Sequence, residues 1–143
     1  MKNQLFKKIL IIQLIILLFT PQLYAEISVV VHPDNPVSSI TNKDVRKIYL
    51  GKSKKFPGGG ALSVIDQKSG AVRDGFYKKV VKKNVTKLKA YWSKRIFTGK
   101  GNPPPTVDND GAVINWIQGQ TSGLGYIDSG SVNAKVKVLL TIP

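Results

Sequence analysis

The sequence predicts an α/β protein, a three-layer αβα sandwich built on a mixed sheet. Three observations carry that expectation. Short β-branched runs alternate with stretches of helical periodicity, the pattern of strands and helices stacked in layers. Turn residues separate almost every pair of segments. The chain has 143 residues, enough for one domain and little more.

Taken in order, Ile27–His32 (ISVVVH) is a β-branched run ended by Pro33 and reads as a buried strand. A turn-rich connection follows. Thr41 has the character of an N-cap, with Asp44 three residues on as a shortened capping box. The helix it opens spans about 42–50, buries Val45, Ile48 and Tyr49 or Leu50, and ends at Gly51. A basic loop with a Pro-Gly-Gly-Gly tip leads to a second strand, Ala61–Asp66 (ALSVID). After Ser69-Gly70 a helix starts near Val72, with Phe76, Tyr77, Val80, Val81 and Leu88 recurring at helical spacing. Another, near 86–97, carries Leu88, Tyr91, Trp92 and Ile96 as its apolar positions. Beyond the Gly/Pro loop 99–105, Asp108 or Asp110 is placed to cap a helix whose stripe is Val113, Ile114, Trp116 and Ile117. Leu124–Ile127 and Lys135–Ile142 close the chain as strands.

The first 25 residues stand apart. Lys2, Lys7 and Lys8 precede an apolar run from Ile9 to Phe19; Pro21 and Gln22 break it, and Ala25 is a small residue suited to the position before a cleavage point. This is the layout of a secretory signal peptide, and the run is too short for the roughly 20 residues of a membrane-spanning helix. The expected organisation is therefore a signal over 1–25 and a single domain over 26–143, periplasmic after export, with no membrane span once the signal is removed. The mature chain keeps 118 of the 143 residues.

Composition narrows the chemistry. There is no cysteine and a single histidine, His32. Disulfide scaffolds, thiolate metal sites and cysteine nucleophiles are excluded. No Ser–His–Asp set assembles, and the aspartates lack metal-ligand spacing, so neither an enzyme nor a cofactor is expected. The formal net charge is +14, of which three charges leave with the signal. Between residues 43 and 100 lie 17 Lys and Arg but only Asp44, Asp66 and Asp74. Such a surface attracts anions. Nucleic acid is not expected, because export removes the usual partner and Lys dominates over Arg.

The most informative segment is Val64–Tyr77, VIDQKSGAVRDGFY. A strand runs into a small polar turn that opens a helix, and the N–H groups of such a turn can hold an anion. Ser69 adds a hydroxyl, and Lys68 and Arg73 add positive charge. The candidate anion site is Lys68, Ser69, Gly70, Ala71 and Arg73.

From Val29 to Asp128 the chain resembles one lobe of the phosphate-binding proteins of bacterial phosphate ABC transporters, which have the type 2 periplasmic binding protein fold. Four segments carry the resemblance, in the family's order. NPVSSITNKDVRKIYLGKSKKFPGG resembles the helix that ends in an I-[YF]-L-G-K signature. VIDQKSGAVRDGFY stands where the family has its Ser-Gly-Thr phosphate loop. Trp92 and Gly99–Asn102 (GKGN) stand before a helix, and SGLGYIDSG resembles the P-G-A-I-G-Y-V strand. The resemblance is closest to small, stand-alone substrate-binding-like members. It implies a non-enzymatic protein that binds phosphate or a related oxyanion, accessory to phosphate uptake or sensing. Two departures qualify it. The chain has room for one lobe where the receptors have two. In the loop, Ile65 or Asp66 stands where the family places an Arg, and Ala71 or Val72 where it places a Thr. The alternative expectation is a protein-interaction module that keeps the lobe as a scaffold and docks an acidic periplasmic protein or a transporter or sensor component.

Overall fold

The computed structural model describes residues 3–4 and 25–143. Apart from residues 3, 4 and 25, the expected signal lies outside them. The elements are β1 (Ile27–Val31), α1 (Asn42–Tyr49), β2 (Ser63–Val64), β3 (Asp66–Gln67) and α2 (Ala71–Phe76), which runs on into a π turn (Tyr77–Val81). Then come α3 (Val85–Phe97), β4 (Thr106–Val107), α4 (Asp110–Gln118), β5 (Gly123–Asp128) and β6 (Lys137–Ile142).

The main sheet has the order β2-β5-β1-β6. β1 is antiparallel to both neighbours, and β2 is parallel to β5. The strand expected over Ala61–Asp66 is divided because it changes partners. Ile65 N donates to Leu124 O at 3.0 Å, whereas Asp66 N donates to Pro105 O at 2.9 Å. Past that switch β3 pairs in parallel with β4. The expected mixed α/β fold is therefore the observed one.

Alternation along the strands creates two cores. Ile27, Val29 and Val31 of β1, with Leu124 and Tyr126 of β5, meet Val45, Ile48 and Tyr49 of α1, Phe76, Val80 and Val81 of the α2 segment, and Leu88 and Trp92 of α3. On the other face Val30, Ile65 and Ile127 meet Val113, Ile114 and Ile117 of α4. Three layers result. Gly125 lets the third layer approach: a Cβ there would lie 2.7 Å from Val113 Cγ1.

Two sequence expectations are corrected. Ile96 does not join the apolar stripe of α3; it is 52% exposed, because the buried arc of that helix is filled by Leu88 and Trp92. The cap of α4 is neither Asp108 nor Asp110 but Asn109, whose side chain accepts from Ala112 N at 2.9 Å. An amide oxygen caps as well as a carboxylate, and Asp110 is thereby left for other partners.

The capping box of α1 is present in full. Thr41 Oγ1 accepts from Asp44 N at 3.2 Å, and Thr41 N and Oγ1 both donate to Asp44 Oδ2. Thr41→Ala is expected to lower stability by about 1 kcal/mol in urea unfolding at neutral pH. The Thr41 hydroxyl holds the Asp44 carboxyl below its ordinary value of 3.8. Depression in the folded state means that this contribution is present above that value and is lost as pH falls through the lower, folded one. The difference between Thr41→Ala and the parent should therefore shrink on acidification.

Candidate functional site

β3 and β4 run in parallel and each ends at a helix N-terminus, so two helix starts face each other at one end of the sheet. Between them lies a cleft of about 330 Å³. Ser69–Val72 form one wall, Asp108–Gly111 the other, and Gln67 the floor.

The two helix starts differ. That of α4 is closed by Asn109, whereas that of α2 has no side-chain cap. Its N-cap is Gly70, with φ +105° and ψ 174°, a conformation essentially reserved for glycine. The Ser69 hydroxyl, next to this uncapped start, is exposed and makes no hydrogen bond among the described residues. Opposite, Asp110 is fully engaged: Oδ1 accepts from Gln67 Nε2 at 2.7 Å, and Oδ2 from Asp128 N at 3.1 Å and Ser131 Oγ at 2.7 Å. At the exposed rim Lys68 Nζ lies 3.9 Å from Asp108.

Of the five candidate residues, Ser69, Gly70 and Ala71 share this cleft and Lys68 stands at its edge. Arg73 does not join them. It turns the other way, to the buried carboxylate of Asp66, and lines separate grooves with Tyr77 and Leu88.

Asp66 is 3% exposed and is the centre of a compact polar cluster. Oδ1 accepts from Tyr126 OH at 2.5 Å and Gln67 N at 2.7 Å; Oδ2 accepts from Tyr77 OH at 2.6 Å. The Arg73 guanidinium is 3.7 Å from Oδ2 and lies 4.4 Å from the centre of the Tyr77 ring. Burial, reinforced by the Asp66 charge and the bonds it accepts, pushes both tyrosine hydroxyls far above their ordinary value. They remain protonated donors at any physiological pH. Two hydroxyls, a backbone N–H and a guanidinium thus converge on one carboxylate, a donor set that could equally surround a small free oxyanion. The protein fills it with its own side chain.

The sequence points to Arg73 as a site residue and names Asp66 only as one possible occupant of the family's Arg position; nothing in it pairs them with Tyr77 and Tyr126. Tyr77 follows Asp66 by 11 residues and Tyr126 by 60, and no local pattern links them. Among the described residues no cluster of three His, Asp or Glu could hold a metal ion.

Comparison with solved structures gives the architecture a class: this is the fold of one lobe of phosphate ABC transporter substrate-binding proteins. A protein of that description from Clostridium perfringens, solved with bound phosphate, matches with a TM-score of 0.62 and 22% identity, over 81% of this chain and 45% of that one. An ABC-type phosphate transport receptor from Vibrio cholerae matches with a TM-score of 0.62 and 18% identity, over 81% and 47%. PstS from Borrelia burgdorferi matches with a TM-score of 0.58 and 16% identity, over 80% and 47%. The chain spans somewhat under half the length of these structures, a single-lobe match. No protein-family model and no curated protein matches the sequence.

Proposed function

We propose that the chain is an exported, non-enzymatic oxyanion-binding protein that takes phosphate or a close relative at the Ser69–Ala71 turn. In this reading residues 1–25 are a cleaved signal, 26–143 form the periplasmic domain, and the protein is accessory to phosphate uptake or sensing. The observation that carries it is the uncapped start of α2. Its free N–H groups and the Ser69 hydroxyl open into a cleft bounded by a second helix start, in a fold shared with phosphate receptors. Backbone donors at a helix start favour an anion. Asp108, on the opposite wall, repels a fully ionised anion but accepts from one that retains a proton. Monohydrogen phosphate is therefore preferred to sulfate. Arg73, held by Asp66, contributes only long-range charge, and a partner protein completes the ligand shell.

Calorimetry and thermal melts in phosphate and in sulfate test this. Phosphate at about 100 times its Kd should raise stability by about 2.7 kcal/mol. Ser69→Ala should weaken binding by about tenfold, the loss of one hydrogen bond to a charged acceptor. No heat and no melting shift at millimolar phosphate overturns the reading. The interaction-module alternative then gains, since the Asp66–Arg73 pairing already removes one cation from ligand duty.

A further inference from the structure

The surface from Lys78 to Lys100 plays no part in the cleft at Ser69. This stretch carries nine Lys and Arg and no Asp or Glu. Among the described residues, Lys78, Lys82, Lys87, Lys89 and Lys94 are not paired with any carboxylate. The same stretch holds the three most exposed large hydrophobic side chains of the described residues: Val85 at 72%, Ile96 at 52% and Phe97 at 92%.

The backbone is irregular where the cations gather. The α2 segment ends in the π turn Tyr77–Val81, and Lys82 takes the left-handed conformation, with φ 57° and ψ 41°. A non-glycine residue there is unusual. The break turns the chain so that Lys78, Lys82, Lys83 and Lys87 surround one groove of about 660 Å³, whose lining also includes Val85, Leu88, Arg73 and one acid, Asp74. α3 then continues along the surface without a single acid.

We propose that α3 and the π turn form a docking surface for an anionic lipid bilayer. The charges are spread over the whole length of the helix as lysines. These long flexible side chains act as point charges, suited to a diffuse sheet of headgroups rather than to fixed carboxylates. Arg95, which could make a directional fork, is already engaged with the carbonyls of Gly51 and Lys100. Exposed Val85, Ile96 and Phe97 are the apolar groups such a helix inserts below the headgroups. The groove between Lys78 and Lys87 is where a phosphodiester would sit. The inference stands apart from the proposed phosphate site.

The test uses the full chain and phospholipid vesicles. Residues 1–25 contain their own lysines and apolar run, so all comparisons are between variants with the same N-terminus. Binding to vesicles containing phosphatidylglycerol is expected to exceed binding to pure phosphatidylcholine, and that excess is expected to be released by high salt. Each Lys→Gln change at Lys78, Lys82, Lys87 or Lys89 should weaken partitioning roughly fivefold. Phe97→Trp should add a blue-shifted emission component when anionic vesicles are present. Val138→Trp, on β6 outside this surface, should not. Failure to bind anionic vesicles, equal binding to neutral ones, indifference to the lysine changes, or an unshifted Trp at position 97 each overturns the proposal. Capture by polyglutamate but not by vesicles does so as well, and assigns the surface to an acidic protein.

Discussion

Asp66→Ala is expected to destabilise the protein by about 3–5 kcal/mol, the range for removing one partner of a buried charged cluster. Folded domains retain only about 5–15 kcal/mol, so much of the stability is at stake. The distances show which interactions matter. Arg73 at 3.7 Å from Oδ2 is too far for a hydrogen bond, and it supplies Coulombic attraction alone. The tyrosine hydroxyls at 2.5 and 2.6 Å are short, charge-assisted bonds of the stronger kind. Alanine would leave two buried hydroxyls without an acceptor and a guanidinium without its counter-charge. Asp66→Asn keeps the shape and one acceptor oxygen, so it should cost less. Tyr77→Phe in the Asp66→Ala background should cost less than in the parent, because the hydroxyl it removes has already lost its acceptor. Urea unfolding of the parent, Asp66→Ala, Tyr77→Phe and the double variant measures this. Additive losses would show that the cluster does not act as a unit. Formate should recover part of the loss in Asp66→Ala and leave the stability of the parent unchanged.

That cluster also marks where the sequence stopped being informative. Elements whose signals are local were legible: the Thr41–Asp44 cap, the β-branched β1 and the helical spacing from Phe76 to Val81. So was the strand–turn–helix at Ser69-Gly70, whose conformation demands glycine at position 70. The candidate site was legible only in part. Arg73 follows Ser69 closely in sequence, yet a residue in the first turn of a helix can face either side, and the buried carboxylate at Asp66 decided which. The change of partners at Ile65 was likewise hidden, since a short strand-like run such as ALSVID does not reveal which neighbour each residue bonds. Ile96 was misplaced for a related reason. It fits the helical period, but Leu88 and Trp92 already cover the sheet-facing arc, and periodicity does not say when an arc is full.

Phe76→Ala is expected to cost about 3–5 kcal/mol, while the same change at Phe97 should stay within about 0.5 kcal/mol. Phe76 is fully buried, and its ring ties three elements together. It stacks on Tyr126 of β5 with centroids 3.8 Å apart and planes 5° from parallel, and meets Tyr49 of α1 edge-on at 4.7 Å. Each aromatic pair adds about 0.5–1.5 kcal/mol beyond the area it buries. Truncation would open a cavity between α1, the end of α2 and the sheet, which Tyr49 cannot fill because its hydroxyl is committed to Ile65 O at 2.9 Å. Phe76→Leu keeps much of the volume and loses only the ring contacts, so it should fall between parent and alanine. Because α2 begins five residues before Phe76 and carries the uncapped N–H groups, loosening this anchor should also weaken the proposed phosphate binding in the variant fraction that remains folded. Phe97 touches none of this. Its ring faces solvent at the far end of α3, so Phe97→Ala should leave the unfolding midpoint and phosphate affinity in place and change only partitioning to anionic vesicles. If Phe97→Ala instead destabilised the fold, the exposed ring would have to be assigned to packing, and the lipid surface would lose its strongest apolar member.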